Sequence, residues 1–599
     1  PAPPLLVVNR IPGILRDLGQ DEAILAPALE QMISSLLADR LTEAPANMPV
    51  LDDALELNPL FVAKLGEVTD LHVPARRWEG FSEQLESSGF LRRLQPQLNT
   101  WLDAVLGDKN TAPVEAPQSR ENSQTNESRR KALADFAARL VSAETADRPI
   151  ENPLITSPMR ALAMENTQVP IVIVEGAKGT GKTLTARYVL SRRTWDGVAK
   201  GVGITSSKTD ATLLPVLGSI QTSDTFRQEI DDARARVSAE VGAGAPQSVS
   251  NTRAVLREKL STNLSEKDWT DLWLDAIAWS AGFSPGEGGS GQRLLDNLRA
   301  SGRRLVCLVE GIEELYDSAK DQHVPPMLRA ILIDLPLRLR SEPGRPLGLI
   351  VFARRDSVNA GVAQNRSQFR AQYRDFALTW TEADVLELAA WITTESGALT
   401  VWDRAFSDLS QPEKERRLIP LWGRKLGPDE QPGQRRVKEA YTAGWVIAAL
   451  SDLQGRLVAR DLVRFLQNAA EGAALSDERD TYGSRLLPPG SLKSAIGPTS
   501  KQKVAETEEE IAELANVFAK FRAKINSVRA PIDQEALDEL GLDLNDIELL
   551  QLHGIILGDS PPYEVPELFR MGLGLRHAGA RHSVLGTKRR ARQRQKEQS

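Results

Sequence analysis

The stretch Val169-Pro170-Ile171-Val172-Ile173-Val174-Glu175 runs straight into Gly176-Ala177-Lys178-Gly179-Thr180-Gly181-Lys182-Thr183, and then into Leu184-Thr185-Ala186-Arg187-Tyr188-Val189-Leu190. The first segment is a continuous apolar run, the signature of a strand buried on both faces. The second matches G-x-x-x-x-G-K-[ST], and the third reads as a helix ending in basic residues. Glycines let backbone N–H groups converge on phosphate oxygens, and the helix N-terminus adds its positive dipole. In that setting Lys182 is expected to neutralise β- and γ-phosphates, and the Thr183 hydroxyl to hold Mg²⁺. Residues 176–183 are therefore the expected nucleotide-binding loop.

Such a loop needs an acidic residue at the end of a neighbouring strand. Arg303-Arg304-Leu305-Val306-Cys307-Leu308-Val309-Glu310-Gly311-Ile312-Glu313-Glu314 supplies one. Glu310 is the expected magnesium-side carboxylate, and Glu313 or Glu314 the group that polarises an attacking water. Cys307 reads as a small buried apolar residue of that strand. A third strand, Leu347 to Ala353, ends in Arg354-Arg355-Asp356. An arginine there reaches a γ-phosphate or a neighbouring subunit's nucleotide, or forms a surface salt bridge; the sequence leaves these open. Arg460, in Gly455-Arg456-Leu457-Val458-Ala459-Arg460-Asp461-Leu462, is placed to reach back to the phosphates from a helical subdomain.

Outward from this core, 599 residues predict two to four domains. Hydrophobic residues at 41% and charged residues at 26% are ordinary for a soluble globular protein. A net charge of −7 argues against a generic polyanion binder. One cysteine and five histidines leave no disulfide framework and no His/Cys metal cluster. No apolar run has membrane-helix length, so the expectation is a soluble, cytoplasmic protein with no membrane partner.

The expected division starts with a smaller α/β unit over 1–107 and a flexible linker over 108–130, whose only large apolar side chain is Val114. A P-loop core follows over 131–380, a three-layer α/β domain with a parallel sheet. A helical lid spans 381–475, with Trp391, Trp402, Trp422 and Trp445 as packing residues. A Gly/Pro/Ser-rich connection covers 476–503. A winged-helix-like domain over 504–575 is expected to comprise a helix at Thr507–Ser527, two shorter helices near 533–540 and 544–553, and a strand–turn–strand. A basic tail, 576–599, ends the sequence. With eight Lys/Arg and one acid, that tail suits nucleic-acid phosphates, a solubilising role or an acidic partner.

Together these motifs resemble an AAA+-type or STAND-type ATPase over residues 131–575. LVEGIEEL resembles the hhhhDGhDE Walker B string of that group, carried onto Glu310, Glu313 and Glu314. GRLVARDLVRFLQ resembles the sensor 2 helix of origin-recognition-like AAA+ proteins, carried onto Arg460. The resemblance implies ATP rather than GTP, homo-oligomers, and slow turnover because Glu310 stands where Asp is usual. It implies a nucleotide-dependent switch, of the kind found in bacterial signalling or anti-phage defence, with a possible partner protein. The alternative is a DNA-acting ATPase of the partition, loader or transposition-regulator kind, using the winged helix and residues 576–599. Residues 1–107 resemble the C-terminal half of a ParA/MinD-type ATPase, on Leu5-Leu6-Val7-Val8-Asn9-Arg10 and Met48-Pro49-Val50-Leu51-Asp52. That likeness implies that a phosphate-binding half precedes Pro1 in a longer protein.

Overall fold

The computed structural model describes residues 125–577 and 584–586, apart from 142–151, 166–167, 205–208, 221, 286–288, 320, 428–438, 453–454, 475–481 and 483–484. The readings for 1–107, for the linker up to residue 124 and for most of 576–599 lie outside the described residues.

Strands β1 (Ile171–Glu175), β2 (Thr212–Leu217), β3 (Leu305–Val309) and β4 (Leu347–Ala353) form one parallel sheet in the order β1-β4-β3-β2. Ile171 lies opposite Leu349, Leu305 opposite Leu347, and Thr212 opposite Leu305. Every residue of β1, β3 and β4 is buried, as their unbroken apolar sequences require. Past the end of β1, Leu378 pairs in parallel with Gly176 and donates its N–H to Glu175 O at 2.8 Å. With β4 between β1 and β3, the loops carrying Lys182, Arg354 and Glu310 all leave the same carboxyl edge, where open α/β sheets place their ligands. Cys307 is fully buried in β3, and burial pushes its thiol pKa up.

A second apolar cluster is mostly helical. It contains α1 (Asn126–Val141), α3 (Glu382–Glu395), the helix Thr442–Leu450, and α4 (Ala459–Ala474); the label α2 belongs to the core helix Lys182–Ser191. Trp391 and Trp422 are buried here, and Trp402 and Trp445 pack against it. Helix α1 departs from expectation twice. It begins at Asn126, inside the expected linker, and it packs into the helical cluster rather than onto the sheet. The reason lies in its stripe Leu133, Phe136, Ala137 and Leu140, a helical-period apolar face that needs another helix. Phe136 meets Trp391 edge-on at 5.7 Å, and the buried Arg130 donates to Leu486 O at 2.6 Å.

The expected connection 476–503 and the expected helix 507–527 are also revised. Helix α5 runs from Pro489 to Glu510, and a separate helix, Ala512–Ala523, follows a break at Ile511. Leu492, Ala495, Ile496, Thr499 and Ser500 of α5 are buried. That burial outweighs Pro498 inside the helix, a residue costing about 3 kcal/mol there.

The third cluster joins Ala512–Ala523 to the short helices Gln534–Leu540 and Leu544–Leu552. Its extended part is slight: antiparallel pairs Ile532–Tyr563 and Leu557–Glu564, and a two-residue parallel pairing of Arg529–Ala530 with Arg576–His577. The expected tail 576–599 therefore begins inside the folded unit, and Val584 is buried against the helical cluster.

Candidate functional site

A cleft of about 570 Å³ opens between the carboxyl edge of the sheet and the helical cluster, a size ordinary for a small-molecule site. Residues 178–183 line its floor. The loop turns through Gly179 and Gly181, whose φ values of 81° and 100° favour glycine. Gly179 also admits close approach: a Cβ there would lie 2.9 Å from the Arg460 Cβ. The Arg460 N–H donates to Gly179 O at 3.1 Å, so the first turn of α4 rests on the loop.

Lys182 opens α2 and is buried. Its Nζ donates to Gly176 O and Ala177 O, each at 3.1 Å. Burial lowers its pKa, opposed by the charges of Glu313 and Glu310. Thr183 Oγ1 donates to Glu310 Oε1 at 2.7 Å, and the Ser219 N–H donates to Glu310 Oε2 at 2.9 Å. Burial pushes the Glu310 pKa up to about 7, against the Thr183 hydrogen bond.

The two glutamates after Glu310 separate in role. Glu313, on the short turn Ile312–Leu315, keeps Oε2 buried without a hydrogen-bond partner. Burial raises its pKa, with the Lys182 charge opposing. Glu314 is occupied instead. It accepts from Ser219 Oγ at 2.7 Å and from the Ile220 N–H at 2.8 Å, and pairs with Arg253 at 3.2 Å. It fastens the loop after β2; Ser219 lines the cleft and Arg253 backs it through Glu314, neither with any local sequence signal.

The arginines separate too. Arg354 lines the cleft and pairs with Asp356 at 2.9 Å and Glu510 at 2.7 Å. Burial alone would lower its pKa, but Glu510, Asp356 and Glu313 hold it above the usual value. Arg355 is not part of the lining. It turns to Glu175 at 3.2 Å, which Arg370 meets at the same distance. Adjacent residues at a helix start point in different directions, so only one of the pair can face the cleft. Arg460 lines the cleft and pairs with Glu506 of α5.

Away from these charges Leu154, Pro158, Met159, Tyr188, Leu388 and Trp391 form an apolar stretch of a wall that also carries Arg187, Arg192 and Asp384. Trp391 was readable only as a packing residue; it packs and also lines the cleft. Trp380 Nε1 donates to Thr180 O at 3.1 Å and joins this wall to the loop.

The residues fit a magnesium nucleotide. The lysine's donors rest on carbonyls that phosphate oxygens can replace, and Glu313, with one buried oxygen unpartnered, lies within the field of the Lys182 charge. Among the described residues no group of three or more His, Cys, Asp or Glu could hold a metal by itself. Magnesium suits the remaining set, since it takes one or two protein ligands together with substrate phosphates. Among the described residues no helix is long and apolar enough to cross a membrane.

No family model matches the sequence, and no curated protein matches it. Among solved structures, the chain is similar to the Aeropyrum pernix ORC2 protein, described as ADPNP-ADP complexes. The identity is 14%, the TM-score 0.32, and the match covers 82% of this chain and 98% of that one.

Proposed function

We propose that this protein is a P-loop ATPase of the AAA+/STAND-like kind, a switch whose assembly or partner exposure depends on bound ATP and Mg²⁺. The observation that carries this reading is the convergence at one cleft of Lys182, the Thr183–Glu310 hydrogen bond at 2.7 Å and the buried, unpartnered Glu313 oxygen. Thr183 and Glu310 would hold the magnesium ion, which supplies charge neutralisation at the phosphates. Lys182 leaves its two loop carbonyls for the β- and γ-phosphates. Glu313 orients and polarises the attacking water, and Arg354 and Arg460 meet charge on the γ-phosphate. The apolar wall around Trp391 receives the base. Glu310 in place of Asp suits slow turnover, which suits a switch.

The second reading is a DNA-acting ATPase, favoured by the basic residues of 588–596. The winged-helix-like unit itself speaks against DNA: residues 504–575 hold fifteen Asp/Glu and five Lys/Arg. Any duplex contact on this reading belongs to the tail, with the salt dependence of counterion release. ATP turnover and oligomeric state, measured with and without duplex DNA at two salt concentrations, separate the two. ATP-dependent assembly indifferent to DNA supports the switch; DNA-stimulated, salt-sensitive turnover supports the alternative. Turnover and assembly both indifferent to Lys182→Ala would remove both.

A further inference from the structure

The two arginines at the phosphate end of the cleft come from different elements, Arg354 from the end of β4 and Arg460 from the first turn of α4. Both are held by α5. Glu510 pairs with Arg354 at 2.7 Å, and Glu506 pairs with Arg460 and, at 2.6 Å, with Arg464. Glu506 and Glu510 are four residues apart, so they share one face of the helix. One turn earlier, Lys503 pairs with the buried Asp461 of α4 at 3.0 Å. Burial alone would raise the Glu506 pKa, but Arg460, Arg464 and Lys503 hold it below the usual carboxylate range. Beyond Glu510, the chain passes through Ile511 into the helix Ala512–Ala523 and the third cluster.

A guanidinium presents the same planar fork to a carboxylate and to a phosphate. A phosphate arriving at this end of the cleft and the helix α5 therefore draw on the same donors. We infer that Glu506 and Glu510 stand in for the terminal phosphate, so that a nucleoside triphosphate must draw Arg354 and Arg460 off α5, whereas a diphosphate leaves them there. This inference rests on the nucleotide-binding reading above. Its consequence is that the third phosphate is sensed as loosening of α5, and through Ile511 as release of residues 512–575. Glu506 and Glu510 are positioning residues in this device: they set how accessible the arginines are and touch no substrate.

The test uses the full chain and two probes, ADP and a non-hydrolysable ATP analogue, titrated with magnesium. Wild type is compared with Glu510→Gln, the double variant Glu506→Gln/Glu510→Gln, and Lys182→Ala. Removing the competing charge should tighten the triphosphate at least about fivefold while leaving ADP nearly unchanged, at the low end of usual coupling factors. By reciprocity the triphosphate, and not ADP, should speed amide exchange over 500–523 in the wild type. The double variant takes a carboxylate from three part-buried guanidinium groups, Arg354, Arg460 and Arg464, and can lose its fold; Glu510→Gln removes only the Arg354 pair and keeps the test alive. A triphosphate-to-diphosphate affinity ratio unchanged in Glu510→Gln, or weaker triphosphate binding, overturns the inference, because the pairs then serve only as glue or as supports. If Lys182→Ala binds both probes as tightly as wild type, the nucleotide reading itself falls. If Lys182→Ala loses binding while the ratio in Glu510→Gln does not move, only the inference falls.

Discussion

The two walls of the cleft solve the same electrostatic problem by opposite means. On the sheet side, the polar groups are short and fixed by backbone: a loop turned by glycines, a lysine at a helix start, a threonine bonded to Glu310 at 2.7 Å. Facing it, the carboxylates of α5 hold two long arginine side chains, Arg354 from the end of β4 and Arg460 from the first turn of α4. On the proposed reading the loop is preorganised for phosphate, whereas the arginines are already engaged by α5. On that reading, binding rests with the loop and response with the two arginines that α5 holds.

The largest expected effect is on the sheet side. Lys182→Ala removes the charge facing the phosphates and should weaken ATP and ADP alike by at least about a thousandfold, since charge-assisted hydrogen bonds contribute about 1.5–3 kcal/mol each. Titration calorimetry reads this, and retention of tight binding would contradict the assignment of the floor. Next, Glu313→Gln should lower kcat roughly a hundredfold to a thousandfold with nucleotide affinity little changed. Glu314→Gln should instead loosen the loop after β2 and show itself first in thermal unfolding, at about 1–3 kcal/mol. The reverse pattern in the two variants would exchange their roles.

The third expectation concerns pH. Glu310 has its folded pKa pushed up to about 7, from a usual value of 4.5. Its contribution to stability is therefore complete below about pH 4.5 and is lost as pH rises through about 7. Without nucleotide and magnesium, wild type should lose on the order of 3 kcal/mol between those limits from this group. Glu310→Gln should flatten that slope, as denaturant unfolding at pH 5 and pH 8 would register. The smallest effect belongs to Arg355→Ala. Its half-exposed pair with Glu175 lies outside the cleft, so stability should change by under about 1 kcal/mol and turnover by less than twofold. A large loss of activity there would return Arg355 to the site.

The sheet wall was legible in the sequence because its signals are local. The loop pattern, the apolar runs of β1, β3 and β4, and Glu310 at a strand end each declare themselves within ten residues. The helical wall was not, nor were the sheet-side residues that depend on distant partners. The stretch Gly490-Ser491-Leu492-Lys493-Ser494-Ala495-Ile496-Gly497-Pro498 reads as a connection, and only burial against distant helices makes it α5. Arg354 and Arg355 are indistinguishable as letters; the direction of a helix start separates them. Ser219 and Arg253 owe their place to Glu314, 95 and 61 residues away along the chain. Trp391 looked like core and is core, but a core residue at the edge of a cluster is also a wall.

The place of α1 has a consequence for how the chain is made. Arg130 is bonded to Leu486, 356 residues later, and the apolar stripe of α1 lies against α4. As the polypeptide leaves the ribosome, β1 to β4 can all be present and assembled while α1 still waits for residues 459–474. At ordinary elongation rates of about 5–20 residues per second, that wait lasts on the order of half a minute. For most of it, until Trp391 of α3 emerges, Leu133, Phe136 and Leu140 have no native partner. Nascent chains halted near residue 400 should therefore carry a finished sheet and an uncovered helix, the kind of surface that chaperones and aggregation both find.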